Sequence, residues 1–399
     1  MVDPQPGSTR AGRMIRQTEG YRAFIPSPLP PDPPLAFDAQ LATVLAKAGT
    51  ALGRLDGVAA TLPNPELFVA MYVRREAVLS SQIEGTQSTL DDVLAFEIDP
   101  GRSSLPGDIS EVVNYINAMN YGLARLGSLP LSLRLLREIH ERLLVGTRGG
   151  DKSPGQFRQS QNWIGAGPRG LADAAFIPPP PHEMRAALGN LERFLHDAGG
   201  LDPLIVCALA HAQFETIHPF LDGNGRVGRL LITFLLCHEK VLQRPVLYLS
   251  HYLKQHRAGY YDRLMAIRLT GDWEGWLRFF LTGVGEVARE AEQTARRIVQ
   301  LRESMRNQAQ TDRMSVNAFR LLDFLFQRPI INVNTARDHL GVSYVAANGL
   351  IRELCDRGLL SETTGGNRNR IFRFGPYLDL FVDVADVDSE IAAPQPTLY

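Results

Sequence analysis

Residues 218–229 read His-Pro-Phe-Leu-Asp-Gly-Asn-Gly-Arg-Val-Gly-Arg. A histidine, a carboxylate, a glycine-rich turn and two arginines thus lie within about three helical turns. Gly223 and Gly225 free the backbone for tight curvature, so that successive N–H groups can converge on one oxygen-rich ligand. A helix expected from about Asn224 adds the unpaired donors and partial positive charge of its N-terminus. Arg226 and Arg229 are one turn apart and project from the same side of that helix. This combination suits a polyphosphate. Asp222 is a hard oxygen ligand for Mg²⁺, and His218 is a candidate general base whose ordinary pKa lies near neutrality. The elements that must position these groups are two apolar helical segments, Leu204–Ile217 before the turn and Leu230–Cys237 after it.

The string resembles the signature of the Fic family (Fic/Doc proteins), HPFxDGNGRxxR, and matches every specified position. The resemblance implies a mainly α protein, a Fic-type helical bundle with a small β-hairpin flap. It implies that His218 takes the proton from a target hydroxyl and that Phe220 anchors the loop. Asp222 would hold Mg²⁺ against the α- and β-phosphates. Gly223, Asn224 and Gly225 would form the anion hole, and Arg226 and Arg229 would hold the outer phosphates. Val227 and Gly228 complete the nucleotide-binding stretch. The implied reaction moves AMP from ATP onto a Tyr, Thr or Ser hydroxyl of a target protein, or of the chain itself, with pyrophosphate leaving.

Upstream, residues 80–85 read Ser-Ser-Gln-Ile-Glu-Gly. They resemble the family's inhibitory motif [S/T]xxxE[G/N], with Ser80, Glu84 and Gly85 in the specified positions. Asn64-Pro65 reads as an N-cap and first-turn pair, Glu66–Ile83 as a helix, and Gly85 as its C-cap. Glu84 then stands at the helix end, where the dipole disfavours a carboxylate, so it needs a cationic partner. The resemblance names Arg229. In that pairing Glu84 competes with the γ-phosphate and inhibits the chain in cis.

Other stretches are similar to Fic proteins in looser ways. Ser153–Gln161 contains a GxFR string in which Arg158 can tie a loop down. Ala174–Ile177 is expected as the strand that clamps an extended target segment, and the prolines at 178–181 end it. Tyr261, next to Tyr260, is expected to contact the adenine. The remaining histidines lack metal-ligand spacing. Neither H-E-x-x-H nor a Walker A lysine loop is present, which leaves zinc proteolysis and P-loop hydrolysis without support.

The formal net charge of −1 gives no general attraction to nucleic acid or membrane. Cys207, Cys237 and Cys355 lack CxxC spacing and read as free thiols of a reducing compartment. With no signal-peptide core and no apolar run of about 20 residues, the chain is expected to be cytoplasmic.

The expected organisation is an irregular segment at 1–35, a helical region with the inhibitory motif at 36–100, and a catalytic core at 109–287. A linker helix at 288–311, a winged helix-turn-helix at 312–376 and a tail at 377–399 follow. In the C-terminal module, Val316–Phe326, Thr335–Leu340 and Tyr344–Arg357 read as helices, and Glu362–Phe374 reads as the wing with Gly365-Gly366 at its tip. Arg352 and Arg357 are balanced by Glu353 and Asp356, so phosphate attraction is weak there. Arg368, Arg370 and Arg373 make the wing basic. DNA binding therefore stays open beside protein interaction or dimerisation, and a homodimer is among the expected partners. The alternative to an enzyme is a nucleotide-sensing transcriptional regulator, for which an intact His218 has no evident use.

Overall fold

The computed structural model describes residues 10–62, 64–98, 100, 106–165, 170–364 and 370–381. It begins with an antiparallel hairpin, β1 (Gly12–Arg16) and β2 (Arg22–Pro26), with Met14 opposite Phe24. Helices α1 (Ala39–Thr61), α2 (Pro65–Ile83), α3 (Leu90–Ile98), α4 (Ile109–Leu126) and α5 (Leu133–Leu144) follow. After the flap region come α6 (Pro181–His196), α7 (Pro203–Ile217), α8 (Asn224–His238), α9 (Ser250–Gln255), α10 (Arg257–Thr270) and α11 (Trp273–Thr311). The C-terminal module contains α12 (Val316–Leu325), β3 (Ile330–Asn332), α13 (Val333–Leu340), α14 (Tyr344–Asp356), β4 (Ser361–Glu362) and β5 (Ile371–Arg373). It ends in α15 (Gly375–Leu378) and a 3₁₀ turn at Asp379–Phe381. Its sheet has the order β3-β5-β4, antiparallel throughout.

Local chemistry sets many of the helix starts. The side chains of Asp38, Asn64, Ser132, Asp202, Asp272, Ser315, Asn332 and Ser343 each accept a hydrogen bond from a first-turn N–H, which relieves one of the unpaired donors there. Pro65 and Pro203 open α2 and α7, where a missing N–H costs nothing. Helix α7 is mostly apolar, and every residue from Leu204 to Ile217 is buried. A helix of that composition must lie at the centre of its bundle. It packs against α8, α6 and α11, so the turn joining α7 to α8 is held by the best-packed part of the molecule.

Four expectations about organisation change. Residues 12–26, expected to be irregular, form a hairpin that lies on the flap segment: Phe24 N donates to Ile177 O at 2.9 Å, and the Phe24 and Phe176 rings are 5.7 Å apart. The flap strand expected at Ala174–Ile177 has one antiparallel bridge, Ile164 to Phe176, in place of a regular ladder, and its tip lies outside the described residues. The linker expected at 288–311 is the second part of α11, a single 39-residue helix whose inner face, including Ala288, Ala291 and Ala295, stays buried. Finally, Tyr377, Leu378 and Phe381, expected to begin a tail, are fully packed. The expected wing tip at Gly365-Gly366, with Arg368, lies outside the described residues, as do residues 382–399. No helix among the described residues is long and apolar enough to cross a membrane.

Candidate active site

His218 caps α7 in the left-handed conformation, φ 50° and ψ 61°. That conformation is unusual for a residue with a side chain, and Pro219 behind it disfavours helical backbone as well. The strain is held by three bonds. His218 N donates to Phe214 O at 2.9 Å, while Arg158 Nε and Asn162 Nδ2 both donate to His218 O, at 3.0 and 3.2 Å. Arg158 does tie the loop down. Its buried guanidinium also binds the carbonyls of Ser160 and Pro179, and its backbone N–H donates to Pro219 O.

The imidazole of His218 does not titrate near neutrality as the sequence suggested. Burial, then the positive charges of Arg268 and Arg158, push its pKa down to about 3. Its Nδ1 is buried without a hydrogen-bond partner among the described residues. The ring is therefore neutral at physiological pH and keeps a lone pair for a proton.

The turn is pinned from inside. Asn224 Oδ1 accepts from Phe220 N and Asn224 Nδ2 donates to Phe220 O, both at 2.8 Å. The Asn224 carboxamide is thus spent on the loop, and only its main chain is left for an anion. Phe220 is fully buried and stacks on His140, with centroids 3.7 Å apart and planes within 6°. Gly155 N donates to His140 Nδ1 at 2.9 Å, so that nitrogen is unprotonated. The proton sits on Nε2, which donates to Asp222 O at 3.0 Å. Burial lowers the His140 pKa to about 4, which keeps this tautomer neutral. No local signal marks His140 for this role, because Gly155 and Asp222 lie 15 and 82 positions away in the chain.

Asp222 turns Oδ1 to Gly223 N at 2.6 Å. Its carboxylate is partly exposed, and Gly149 leaves room for it: a side-chain carbon there would stand 2.7 Å from Oδ2. Among the described residues no group of three or more His, Cys, Asp or Glu side chains could hold a metal ion. One open carboxylate is instead a donor set suited to a Mg²⁺ that arrives with phosphate oxygens.

Helix α8 starts at Asn224 without a side-chain cap, and its first main-chain bond runs from Val227 N to Gly223 O. The donors of its first turn therefore face outward for an anion. Both arginines are almost fully buried. Arg226 pairs with Glu111 at 3.0 Å, a partner the sequence did not suggest. Arg229 is held by Ser80 and Glu84. Its Nε donates to Ser80 Oγ at 2.7 Å, and Nη2 donates to Ser80 O at 3.0 Å and to Glu84 Oε1 at 2.8 Å.

Glu84 is the C-cap of α2, and Gly85 behind it has φ 101°. Burial would raise the Glu84 pKa, but Arg229, then Arg226 and His218, bring it below the ordinary value. The carboxylate is thus ionised and placed beside the start of α8. Gly225 makes this approach feasible, since a side-chain carbon there would stand 2.5 Å from Glu84 Oε1.

A second buried carboxylate, Glu215, lies one turn before His218. Burial raises its pKa to about 7, and a methyl group on Gly228 would collide with its Oε1. His211 bridges Gly228 O and Tyr260 Oη at 2.9 and 3.0 Å, a structural role. Tyr260 is buried, whereas Tyr261 is 40% exposed and free to meet a ligand.

Comparisons with known proteins agree with this architecture. Residues 42–124 match the Fic/DOC family N-terminal model and residues 130–236 match the Fic/DOC family model. Among curated proteins, the protein adenylyltransferase Fic of Drosophila grimshawi is 30% identical over 202 residues, 49% of this chain and 36% of that protein. The one from Drosophila mojavensis is 31% identical over 202 residues, 49% of this chain and 35% of that protein. The chain thus spans about a third of the length of the curated relatives it matches. A Fic family protein from Desulfovibrio desulfuricans G20 shares the fold at TM-score 0.56 and 19% identity, covering 86% of this chain and 97% of that one. A Fic domain containing signaling protein from Bacteroides thetaiotaomicron VPI-5482 does so at TM-score 0.50 and 19% identity, covering 64% and 95%. The helix that carries Glu84 and the turn built around His218 thus lie within the stretches that match the Fic/DOC family N-terminal and Fic/DOC family models, respectively.

Proposed function

We propose that the chain is a protein adenylyltransferase that transfers AMP from ATP to a Tyr, Thr or Ser hydroxyl and is held in check by Glu84. The observation that carries this reading is a neutral, buried imidazole beside an uncapped helix N-terminus whose nearest arginine is already paired with a carboxylate. His218 accepts the proton of the acceptor hydroxyl. A bond forms from that oxygen to the α-phosphorus, the bond from the α-phosphorus to the bridging oxygen breaks, and pyrophosphate leaves. The main-chain donors of Asn224 and Gly225 and the Arg226 and Arg229 guanidiniums stabilise the phosphate charge, the usual largest contribution in phosphoryl transfer. Asp222 would hold Mg²⁺, which offsets charge on the phosphates. The exposure of Tyr261 supports its reading as an adenine contact. Glu84 takes on Arg229 the place of a terminal phosphate oxygen, so that ATP bound beside it is turned away from attack.

The order α12–β3–α13–α14–β4–β5, with β5 central, supports reading residues 312–376 as a winged helix-turn-helix. Its arginines support a protein-contact role over DNA binding. Arg357 is paired with Asp312 and Glu353, Arg370 with Asn348, and Arg373 with Asp91 and Asp379. The carboxylates on Arg357 and Arg373 thus offset part of the positive charge that phosphates would need.

Intact-mass spectrometry of the Glu84→Gly protein after incubation with Mg·ATP tests the reading. A mass increment of one AMP, absent from the Glu84→Gly/His218→Ala protein, is expected. An increment of one phosphate, or none with any added protein substrate, would reject adenylyl transfer.

A further inference from the structure

Residues 312–381 lie outside both matched stretches. They are not a loose appendage. Helix α2 carries a stripe of residues four apart: Phe68, Tyr72, Glu76, Ser80 and Glu84. At one end, Ser80 and Glu84 hold Arg229. In the middle, Glu76 accepts from Tyr115 Oη at 3.1 Å and from Ser250 Oγ at 2.5 Å. At the other end, the Phe68 and Tyr72 rings pack on Phe381, with centroids 6.4 and 5.6 Å apart. Phe381 in turn packs on Tyr377 at 5.2 Å, and all four rings are buried.

A second attachment is ionic. Arg373 of β5 pairs with Asp91 at 2.9 Å and with Asp379 at 2.8 Å. Asp91 lies in the first turn of α3, the next helix after Glu84. The C-terminal module therefore grips the chain on both sides of Glu84, through the first turns of α2 and through α3.

Helix α2 has no internal glycine or proline, so it moves as one rod about 28 Å long. Packed helices shift past one another by about 1–2 Å in switching transitions. The Glu84–Arg229 bond is 2.8 Å long, and a hydrogen bond is lost by about 3.5 Å. A shift of ordinary size at the aromatic end is enough to open the ionic end.

We infer that the C-terminal module is a regulatory domain: docked on α2 and α3 it holds Glu84 on Arg229, and undocked it releases the active site. This rests on the inhibitory reading of Glu84. The module acts through α2 and touches no reacting group, so its loss raises activity where damage to the fold would lower it.

The test is the initial rate of auto-modification with a fluorescent ATP analogue, measured on full-length variants, with thermal unfolding in parallel. Arg373→Glu and Phe381→Ala are each expected to raise the rate at least fivefold, towards that of Glu84→Gly. The charge-swapped pair Asp91→Arg/Arg373→Glu should return it to the wild-type level. In a Glu84→Gly background neither single change should add more than about twofold. Rates of Arg373→Glu and Phe381→Ala within twofold of wild type, while Glu84→Gly is fast, would overturn the coupling and leave inhibition intact. A fast charge-swapped pair would overturn the ionic arm. A Glu84→Gly protein no faster than wild type would remove the inhibitory reading, and the coupling with it.

Discussion

Glu84 and Arg229 are separated by 145 positions in the chain and by 2.8 Å in space. The contact is a charge-assisted hydrogen bond between a buried guanidinium and a carboxylate that stays 34% exposed, backed by Ser80 on the same guanidinium.

Removing Glu84 frees one arginine donor and opens the ground beside Gly225. Glu84→Gly is therefore predicted to raise auto-modification by at least tenfold, the factor that about 1.4 kcal/mol of bias supplies. Glu84→Gln keeps the shape without the charge and should fall between the two. Initial rates with labelled ATP decide this, and a Gln variant as slow as wild type would show that shape, not charge, inhibits.

Burial is the chief cause that lowers the His218 pKa from its ordinary 6.5 to about 3. The depressed value means that the neutral, proton-accepting form persists as pH falls through 6.5. In the Glu84→Gly protein, kcat/KM for ATP should show no loss from this ring between pH 7.5 and 5.5, while His218→Ala should cut kcat by at least 100-fold. An acidic limb near pH 6.5 that solvent isotope and buffer controls assign to the imidazole would contradict the buried setting.

His140 stands between the Gly155 N–H and the Asp222 carbonyl. His140→Ala leaves both unpaired and removes a ring from Phe220, which should cost about 2–4 kcal/mol of stability. His140→Gln can still donate and accept and should recover part of the loss. Chemical denaturation of the three proteins, with the Mg²⁺ concentration for half-maximal rate as a second readout, checks it. Equal Mg²⁺ dependence in all three would mean that the loop does not need His140 to place Asp222.

Glu76 has its pKa raised from 4.5 to about 7 by burial, against its hydrogen bonds from Ser250 and Tyr115. A carboxyl whose folded pKa exceeds its unfolded value adds stability that is complete below about pH 4.5 and is lost as pH rises through 7. Buried His211 and His140, both lowered to about 4, have the opposite slope between pH 4 and 6.5. Total stability is thus a difference, and a variant isolates one contribution. The melting temperature of Glu76→Gln relative to wild type should climb between pH 5 and 7.5. A constant difference across that range would place the folded pKa of Glu76 near its ordinary value.

The positions of the local devices were legible in the sequence because each is made by neighbours in the chain. Asn64-Pro65 starts α2 and Gly85 follows its end; the Gly-Asn-Gly turn starts α8; the mostly apolar 204–217 segment becomes the central helix. The motif also suggested which arginine meets Glu84. Other features had no local signal. Glu111 reaches Arg226 from α4, and His140 reaches the loop from α5. The hairpin at 12–26 exists because the flap segment covers it, and Phe381 is core because Phe68 and Tyr72 are there to receive it. The protonation of His218 belongs to the same class. Residue type set its pKa near neutrality, but burial and two arginines brought in by the fold moved it far below that range. Sequence fixes what short-range bonds can form. Burial and long-range charge depend on which distant segments meet, and that is settled only when the chain is packed.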